Sequence, residues 1–376
     1  MILQELAVHK FRNLGAARLQ FSPGLNFIFG DNAQGKTNLI EAVHLLCLAK
    51  SFRTHEDEEI VPFGGTGYFI EGFFQNEKSI VRRVAVLYEK SSGKQISVDE
   101  KRLQRYSALT GEFPAACLWE GDREITAGSP QQRRRFFNML LSQTSRSGLE
   151  DLKQYDHVLR QRNSVLSAVQ AGRRDVHEQL EIWDEQLIQL GVRVMRARRQ
   201  LVDELNPVLE SCYRRISGNR MKLQILYQPN AEYNEKAPEE AFRRELERFR
   251  QAEIRRGVSL VGPHRDDFVF WIDDVELRKF GSAGEHKSAL ISLKAAEVEI
   301  LRNRTGTSPI VLLDDLFSEL DRERSAAALA LFDAPAQIFI TGTSLDFLWA
   351  RQAGLDWEQA AAYRIENGQV RAEDGA

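Results

Sequence analysis

Residues 30–37, GDNAQGKT, constrain the fold more than any other part of this chain. They match the pattern G-x-x-x-x-G-K-[ST], in which glycines let the backbone curl around phosphate oxygens. An apolar run at 25–29 precedes the segment, and apolar residues at helical spacing follow it at 37–46. A buried strand, a phosphate loop and a helix are therefore predicted in that order. The alternative is a chance glycine-rich turn before a helix. The order predicts a nucleoside triphosphate site.

Nine consecutive residues around this loop are predicted to contact the nucleotide. The glycines allow successive N–H groups and the N-terminus of the following helix to face the phosphates. Lys36 is predicted to reach the β- and γ-phosphates, and the Thr37 hydroxyl is predicted to ligate Mg²⁺. The full predicted set is Gly30, Asp31, Asn32, Ala33, Gln34, Gly35, Lys36, Thr37 and Asn38.

The sequence IVLLDD at residues 310–315 supplies the second half of such a site. Four apolar residues predict a central strand, and open α/β sheets bind ligands at the carboxyl ends of their strands. Asp314 is predicted to hold Mg²⁺, directly or through water. Asp315 is predicted to polarise the water that attacks the γ-phosphate. The alternative is a strand followed by an aspartate-rich turn, which the phosphate loop elsewhere in the chain disfavours.

A serine motif lies upstream of the acidic pair. Ser282 and Glu285 have the S-x-x-E spacing of a capping box, and the glycines at 281 and 284 allow close approach of a phosphate. The alternative is an ordinary helix cap that binds no ligand. Downstream of the acidic pair follow the segment SELD at 318–321 and a predicted strand that ends in Thr341-Gly342-Thr343.

The charge distribution favours a polyanionic partner. The net charge is −3, yet residues 130–222 contain 17 arginines and lysines against 11 acidic residues. An electropositive region of this kind is typical of DNA-binding chains, although solvated helix faces carry similar runs. Arg133, Arg134 and Arg135 are candidate contacts to DNA phosphates. The alternative is that they are merely exposed at the start of a helical region.

Composition and cysteine usage exclude several other classes. The apolar fraction of 43% and charged fraction of 28% are those of an ordinary soluble protein. No apolar run approaches the roughly 20 residues of a membrane span, and no secretory signal is evident. Cys47, Cys117 and Cys212 lie far apart. They are expected to be buried, reduced thiols in a cytoplasmic protein that does not associate with a membrane.

The predicted secondary structure changes along the chain from mainly β-like to mainly helical segments. Residues 1–112 contain short β-like runs, among them a predicted hairpin of 68–74 with 80–88. Two successive runs, at 149–169 and 180–205, then place apolar residues at helical intervals, which predicts an antiparallel helix pair. Further predicted elements are a helix at 237–255 and strands at 268–272, 310–313 and 337–341.

The order of these motifs is similar to that of ABC-type ATPases, and local segments resemble the RecF family of bacterial recombination-mediator ATPases. These segments are FRNL at 11–14, NAQGKTN at 32–38, SFRT at 51–54, GPHRDD at 262–267 and LDDLFSELD at 313–321. The resemblance covers nearly the whole chain, including the short insertion between the phosphate loop and the serine motif. The GPHRDD run in combination with the others makes it specific.

The resemblance implies an α/β fold, with an ABC-type, SMC-like P-loop ATPase head and an inserted helical lobe that contains the antiparallel helix pair. The expected ATPase lobe is discontinuous and comprises residues 1–112 and 256–376. The expected helical lobe comprises residues 113–255. An ATP-dependent homodimer is also implied, in which Ser282 of one subunit contacts the γ-phosphate held by Lys36 of the other.

The resemblance also implies a function on DNA. The dimer would clamp double-stranded DNA near gaps and single/double-strand junctions, cooperate with RecR and RecO, and favour RecA loading and SOS induction. Arg53 follows the phosphate-loop helix and is a candidate contact to DNA or nucleotide, or a solvated loop arginine. Thr343 stands where transport ATPases carry a catalytic histidine. We therefore expect Thr343 near the nucleotide and slow, DNA-stimulated ATP hydrolysis.

Two departures from the family pattern bear on this reading. Glu285 replaces the glutamine of the usual S-x-G-Q motif, and residues 118–122 replace a Pro-Glu-Asp-like stretch. His264 follows Gly-Pro in a turn, for which a structural role is predicted rather than catalysis. Two alternative functions stay open, a nucleotide-sensing assembly scaffold with vestigial hydrolysis and the motor subunit of a transporter. The non-standard serine motif disfavours the transporter.

Overall fold

The computed structural model describes residues 1–173, 177–218, 221–315, 322–332, 336–343 and 360–373. The chain divides into two compact units, each formed from separate stretches. The first contains Met1–Arg123, Ser211–Arg220 and Ala283–Ala376, and the second contains Glu124–Glu210 and Met221–Ser282. The SELD segment at 318–321 lies outside the described residues.

Strands and helices of the described residues are numbered in chain order. The strands are β1 (Ile2–Phe11), β2 (Leu14–Gln20), β3 (Leu25–Phe29), β4 (Gly67–Gln75), β5 (Val81–Glu89), β6 (Gly93–Val98), β7 (Lys101–Arg102), β8 (Ala115–Leu118), β9 (Leu223–Gln228), β10 (Asp267–Ile272), β11 (Val275–Glu276), β12 (Ile310–Leu313), β13 (Ile338–Gly342), β14 (Ala361–Glu366) and β15 (Gln369–Glu373). The helices are α1 (Lys36–Leu48), α2 (Arg123–Ala127), α3 (Pro130–Thr144), α4 (Arg146–Gln170), α5 (His177–Ser217), α6 (Pro238–Arg256), α7 (Leu277–Phe280), α8 (Ala283–Thr305) and α9 (Arg322–Leu329).

An antiparallel sheet occupies the N-terminal part of the first unit, with strand order β2-β1-β4-β5-β6-β7. Along β4 every second residue is buried, because successive side chains of a strand point to opposite faces and only one face packs on the core. β4 and β5 pair in antiparallel register from Gly67 opposite Glu89 to Gln75 opposite Val81. The predicted hairpin is thereby confirmed.

A second sheet in the same unit has the order β15-β14-β3-β13-β12-β8. Its pairs are parallel except for the β14–β15 hairpin. Every residue of β3 and β12 is buried, as expected for central parallel strands covered on both faces. Because β13 pairs with both of them, the carboxyl ends of β3 and β12 meet at one edge of the sheet. Residues 30–37, which follow LNFIF, and the two aspartates, which follow IVLL, therefore lie at the same edge of the sheet.

Helix α1 forms the centre of the first unit's core. It contacts strands β1 and β4 of one sheet and β8 and β13 of the other. Ten of its residues, from Leu39 to Leu48, are buried, which is typical of a helix enclosed on all sides. The phosphate loop is therefore followed by a helix that the core holds rigidly.

The second unit is mainly helical and contains the predicted antiparallel pair, α4 and α5. Arg162 of α4 forms an ion pair with Asp184 of α5, and Asp151 near the start of α4 does so with Arg193 farther along α5. Positions that rise along one helix fall along the other, which confirms the antiparallel arrangement. The small sheet β11-β10-β9 belongs to the same unit.

The unit boundaries differ from the predicted domain boundaries for physical reasons. The predicted helical lobe began at residue 113, but β8 at 115–118 pairs in parallel with β12 and so belongs to the first unit. Residues 256–282 were predicted to belong to the ATPase lobe. Their strand β10 instead pairs with β9 in the second unit.

The GPHRDD run at 262–267 connects helices α4 and α5 and strand β9 within the second unit. His264 Nδ1 lies 2.8 Å from the Tyr155 hydroxyl, and burial lowers the pKa of His264 to about 4. Asp266 accepts hydrogen bonds from Arg198 and Tyr227 at 2.6 and 2.5 Å. These contacts fit the structural role that the sequence predicts for His264.

Among the described residues no helix is long and apolar enough to cross a membrane.

Candidate nucleotide-binding site

The loop between β3 and α1 has the backbone geometry of a phosphate cradle. Gly30 and Gly35 have φ values of 149° and 122°, a region that side-chain-bearing residues rarely adopt. A Cβ at Gly30 would lie 2.3 Å from the Ile365 carbonyl oxygen, and one at Gly35 would lie 2.7 Å from Asn13 Oδ1. Both positions thus need glycine for conformation and for space. Helix α1 begins directly afterwards, at Lys36, so its N-terminus faces the loop.

Lys36 lies over the loop that it follows. Its Nζ donates to the Gly30 and Asp31 carbonyl oxygens at 2.6 and 2.8 Å. Burial lowers the pKa of the Lys36 ammonium, and the carboxylates of Asp314 and Asp315 are the strongest forces opposing that shift. The nearby negative charges therefore help to keep the ammonium charged. It is placed to exchange loop carbonyls for phosphate oxygens.

Thr37 and Asp314 come together from positions 277 residues apart. The Thr37 hydroxyl donates to Asp314 Oδ2 at 2.8 Å and lies 3.1 Å from Oδ1. The Thr341 hydroxyl at the end of β13 donates to Asp314 Oδ1 at 2.8 Å. A hydroxyl and a carboxylate oxygen side by side are the protein ligands that Mg²⁺ accepts beside a triphosphate. The pair fits the predicted metal position.

The pKa of the Asp314 carboxyl group is raised overall, although its neighbours act in both directions. Burial raises the pKa of its carboxyl group, and the hydrogen bonds from Thr341 and Thr37 act in the opposite direction. The charge of Asp315 raises this pKa again, while Arg53 lowers it. A bound cation would stabilise the charged form of this buried carboxyl group.

Asp315 is held by its backbone at the same edge. Its φ is 53°, in the left-handed region, which aspartate and asparagine tolerate better than most residues. Its N–H donates to the Thr341 hydroxyl at 2.9 Å, and its carbonyl oxygen accepts from Lys287 Nζ at 3.3 Å. Thr341 therefore aligns both aspartates, through a side chain for Asp314 and through the backbone for Asp315.

One cleft of about 930 Å³ in the first unit gathers most of the predicted nucleotide residues. We call it the nucleotide cleft. The predicted residues that line it are Asn32, Ala33, Gly35, Lys36, Thr37, Asn38, Arg53, Asp314, Asp315 and Thr343. The remaining loop residues do not line the cleft. The carbonyl oxygens of Gly30 and Asp31 accept hydrogen bonds from Lys36, and the Gln34 side chain accepts one from the Asn367 N–H.

The C-terminal hairpin braces the phosphate loop from behind. The turn between β14 and β15 donates from Asn367 N to Gln34 Oε1 at 2.5 Å and from Gly368 N to the Gln34 carbonyl at 3.1 Å. A Cβ at Gly368, whose φ is 74°, would lie 2.0 Å from the Asn13 carbonyl oxygen. Loop and turn thus fit together at backbone contact distance.

Several residues that line the cleft were not predicted as site residues. Asn13 donates to the Gln34 carbonyl at 3.0 Å, and Arg12 forms a two-point ion pair with the fully buried Glu41 at 2.6 and 2.8 Å. Glu120 lies in the stretch 118–122 that departs from the family pattern. The full additional lining is Lys10, Arg12, Asn13, Leu14, Gly15, Glu59, Val61, Pro62, Phe63, Glu120 and Thr341.

The other predicted site residues lie in the second unit. Ser282 is exposed directly before α8. Arg133 is only 2% exposed and bonds both oxygens of Asp267, at 2.6 and 3.0 Å, so the DNA contact predicted for it does not fit its placement. Arg134 is half-buried and donates to the Asp266 carbonyl at 2.7 Å, while Arg135 is exposed.

Comparison with known proteins agrees with this geometry. A family model described as "RecF/RecN/SMC N terminal domain" matches residues 2–353. The chain is 35% identical over 378 residues to the DNA replication and repair protein RecF of Halalkalibacterium halodurans, with 99% of each chain covered. It is 37% identical over 347 residues to the protein of the same name from Chlorobium phaeobacteroides, with 91% of this chain and 95% of the relative covered.

Solved structures show the same relationship. The solved structure of "the recombination mediator protein RecF-ATP in RecFOR pathway" matches with a TM-score of 0.89 at 30% identity, covering 99% of this chain and 97% of that one. An Smc head bound to the C-winged helix domain of ScpA matches with a TM-score of 0.58 at 12% identity, covering 99% and 97%, which shows the fold alone. The predicted fold class is confirmed, and the chain belongs to the RecF family of SMC-like, ABC-type ATPases.

Proposed function

We propose that this chain is an ATP-dependent DNA-binding protein of recombinational repair and replication-fork maintenance, with weak, DNA-stimulated ATPase activity. The bond between Thr37 and Asp314 carries the nucleotide half of the proposal, because it joins the phosphate loop to the acidic strand in one cleft. Family membership supports the DNA half, since the relatives are named DNA replication and repair proteins.

The phosphate loop, the acidic pair and Thr343 have separate tasks in this proposal. The loop N–H groups and the N-terminus of α1 bind the phosphates of ATP, and Lys36 neutralises part of their charge. Thr37 and Asp314 hold Mg²⁺, which supplies further charge neutralisation at the phosphates when it is bound. Asp315 accepts a proton from the attacking water. Thr343, unlike a histidine, has no imidazole to orient that water, so turnover is slow.

A second copy of the chain completes the site in this proposal. Ser282 of one protomer contacts the γ-phosphate held by Lys36 of the other, and ATP thereby drives dimer formation. The exposure of Ser282 before a helix N-terminus supports this role. Glu285 follows in the first turn of α8, where a carboxylate also interacts favourably with the helix dipole.

The finer biological role rests on the family resemblance. The dimer clamps double-stranded DNA near gaps and single/double-strand junctions, cooperates with RecR and RecO in the cytoplasm, and favours RecA loading and SOS induction. Arg53 and Arg135 are exposed enough to contact phosphate groups, with 39% of the Arg53 side chain accessible. Phosphate contacts of this kind give affinity without sequence preference.

The mass of the protein in solution tests the proposed function. With duplex DNA and ATP, we expect the dimer mass to replace the monomer mass, and with ADP or no nucleotide we expect the monomer. Ser282→Arg places a bulky cation where the γ-phosphate contact forms, so this variant should stay monomeric while binding ATP normally. Light scattering after gel filtration measures both.

Ser91→Arg is the matched control, because Ser91 is an exposed serine in the turn between β5 and β6. It should dimerise like the unaltered protein. A monomer under every condition, together with normal ATP binding, would contradict ATP-driven closure. The nucleotide-sensing scaffold would then describe the protein better.

The exposed ring of Phe63 marks the end of the cleft that we assign to the nucleobase. Phe63 is fully exposed and lines the cleft with Val61 and Pro62. Stacking of a base on an aromatic ring contributes about 1–3 kcal/mol, so Phe63→Ala should raise KM for ATP about 10-fold with little change in kcat. Steady-state kinetics measure both constants. Tyr106→Ala, an exposed aromatic outside the cleft lining, is the control, and equal effects of the two variants would refute the assignment.

A further inference from the structure

A chain of side-chain hydrogen bonds leads from the phosphate loop to Arg53. Asn13 Nδ2 donates to the Gln34 carbonyl at 3.0 Å and lies 3.4 Å from the Ala33 carbonyl. Asn38 Nδ2 donates to Asn13 Oδ1 at 2.7 Å, and Arg53 Nη1 donates to Asn38 Oδ1 at 2.8 Å. We call Asn13, Asn38 and Arg53 the amide relay. It joins the β1–β2 turn, α1 and the loop after α1.

The polarity of the relay is fixed at its loop end. The Gln34 carbonyl can only accept, so Asn13 must present its amide nitrogen to the loop and its oxygen to Asn38. Asn38 must then present its nitrogen to Asn13, which leaves its oxygen as the acceptor for Arg53. Each amide has one orientation that satisfies both neighbours. This chain of hydrogen bonds therefore fixes the position of the Arg53 guanidinium relative to the phosphate loop.

Arg53 lines the nucleotide cleft together with Lys36 and Thr37, the residues that are proposed to contact the phosphates and Mg²⁺. Its other anchor is weaker, since Nη1 lies 3.7 Å from Glu41 Oε2 and that carboxylate is already bonded by Arg12 and Ser51. The side chain is 39% exposed, so without Asn38 it could sample many rotamers. The direct bond to Asn38 is thus the main restraint on the guanidinium.

We propose that Asn13 and Asn38 are positioning residues that hold the Arg53 guanidinium at the phosphates of bound ATP. This inference rests on the proposed ATPase function and deepens it. A preorganised cation at a transferring phosphoryl group stabilises charge that develops in the transition state. Loss of positioning therefore reduces kcat more than it reduces nucleotide affinity. Asn38, predicted from sequence as a nucleotide contact, acts through Arg53.

A double-mutant cycle tests whether the two residues act through Arg53. Asn38→Leu keeps the size of the side chain and removes both hydrogen bonds. We expect it to lower kcat about 10-fold, with less than about a 3-fold change in KM, since a hydrogen bond to a charged group is stronger than one between neutral groups. Arg53→Ala should lower kcat at least as much. The double variant should be no slower than Arg53→Ala alone.

Asn13→Leu combined with Arg53→Ala forms a second cycle with the same expectation, in case one variant fails to fold. Gln104→Leu, at an exposed amide outside the cleft lining, is the matched control and should behave like the unaltered protein. Effects of Asn38→Leu and Arg53→Ala that multiply would overturn the proposal. So would a loss of nucleotide affinity without a loss of kcat.

Arginine-labelled protein provides a readout that needs no catalysis. NMR spectra should show hindered rotation of the Arg53 guanidinium, identified by the signal missing in Arg53→Ala, and Asn38→Leu should abolish that restraint. An unchanged signal in Asn38→Leu would overturn the relay even if hydrolysis is normal. A protein that shows the restraint but neither binds nor hydrolyses ATP would instead refute the proposed function. The two failures are therefore distinguishable.

Discussion

Lys36→Ala is expected to abolish measurable ATP hydrolysis and to weaken ATP binding about 100-fold. The ammonium of Lys36 is held over the phosphate loop by the Gly30 and Asp31 carbonyl oxygens, and the carboxylates at the end of β12 favour its charged form. Loss of one preorganised contact to developing negative charge typically costs 10²–10³-fold in rate, or roughly 3–4 kcal/mol. Titration with a fluorescent ATP analogue and phosphate release measure the two effects.

Two further variants sharpen this test. Lys36→Arg retains the charge but not the compact geometry, so it should bind ATP while hydrolysing it poorly. Lys78→Ala, at an exposed lysine in the β4–β5 turn, should change neither quantity. DNA-stimulated hydrolysis by Lys36→Arg at the normal rate would contradict the role assigned to this lysine.

Asp315→Asn is expected to lower kcat by roughly 10²-fold or more while ATP binding is retained, because it removes a general base and leaves the phosphate contacts intact. Asparagine suits the position, since it tolerates the φ of 53° and keeps the backbone bond to Thr341. ATP binding and single-turnover hydrolysis, measured separately, distinguish the two steps.

The control for this variant is Asp274→Asn, at an exposed aspartate between β10 and β11, which should hydrolyse ATP normally. Asp315→Asn protein that is locked with ATP should also accumulate the dimer, since closure precedes hydrolysis in the proposed cycle. Hydrolysis that continues undiminished in Asp315→Asn would assign the base to another residue of the cleft.

The central part of the site could be predicted because its residues carry strong local signals. IVLL before the acidic pair is wholly apolar and LNFIF before the loop is apolar except for Asn26, and such runs form central parallel strands whose carboxyl ends meet. The loop itself has a fixed glycine and lysine spacing. Strand, loop and acidic pair were therefore predictable from short windows of sequence.

The supporting residues could not be predicted in the same way. Asn13 lies in the FRNL segment and Glu120 in the stretch 118–122, but neither short window shows that its side chain lines the nucleotide cleft, because the folded chain brings them there from other parts of the sequence. Arg133 has the opposite history. In sequence it is one of three consecutive arginines, which favours a solvated basic face, but Asp267, 134 residues away, pairs with it in the interior. Local charge patterns do not show which member of a run is buried.

The bracing of the phosphate loop by the last hairpin has a consequence for protein synthesis. Gln34 is bonded to Asn367 across 333 residues, and β3 has as sheet neighbours only the late strands β13 and β14 among the described residues. A ribosome releases the chain from the N-terminus at about 5–20 residues per second, so the loop is exposed well before its supports exist. A nascent chain that ends before residue 360 therefore cannot hold the loop in its final shape. The phosphate loop therefore reaches its final shape only after the β14–β15 hairpin has been synthesised.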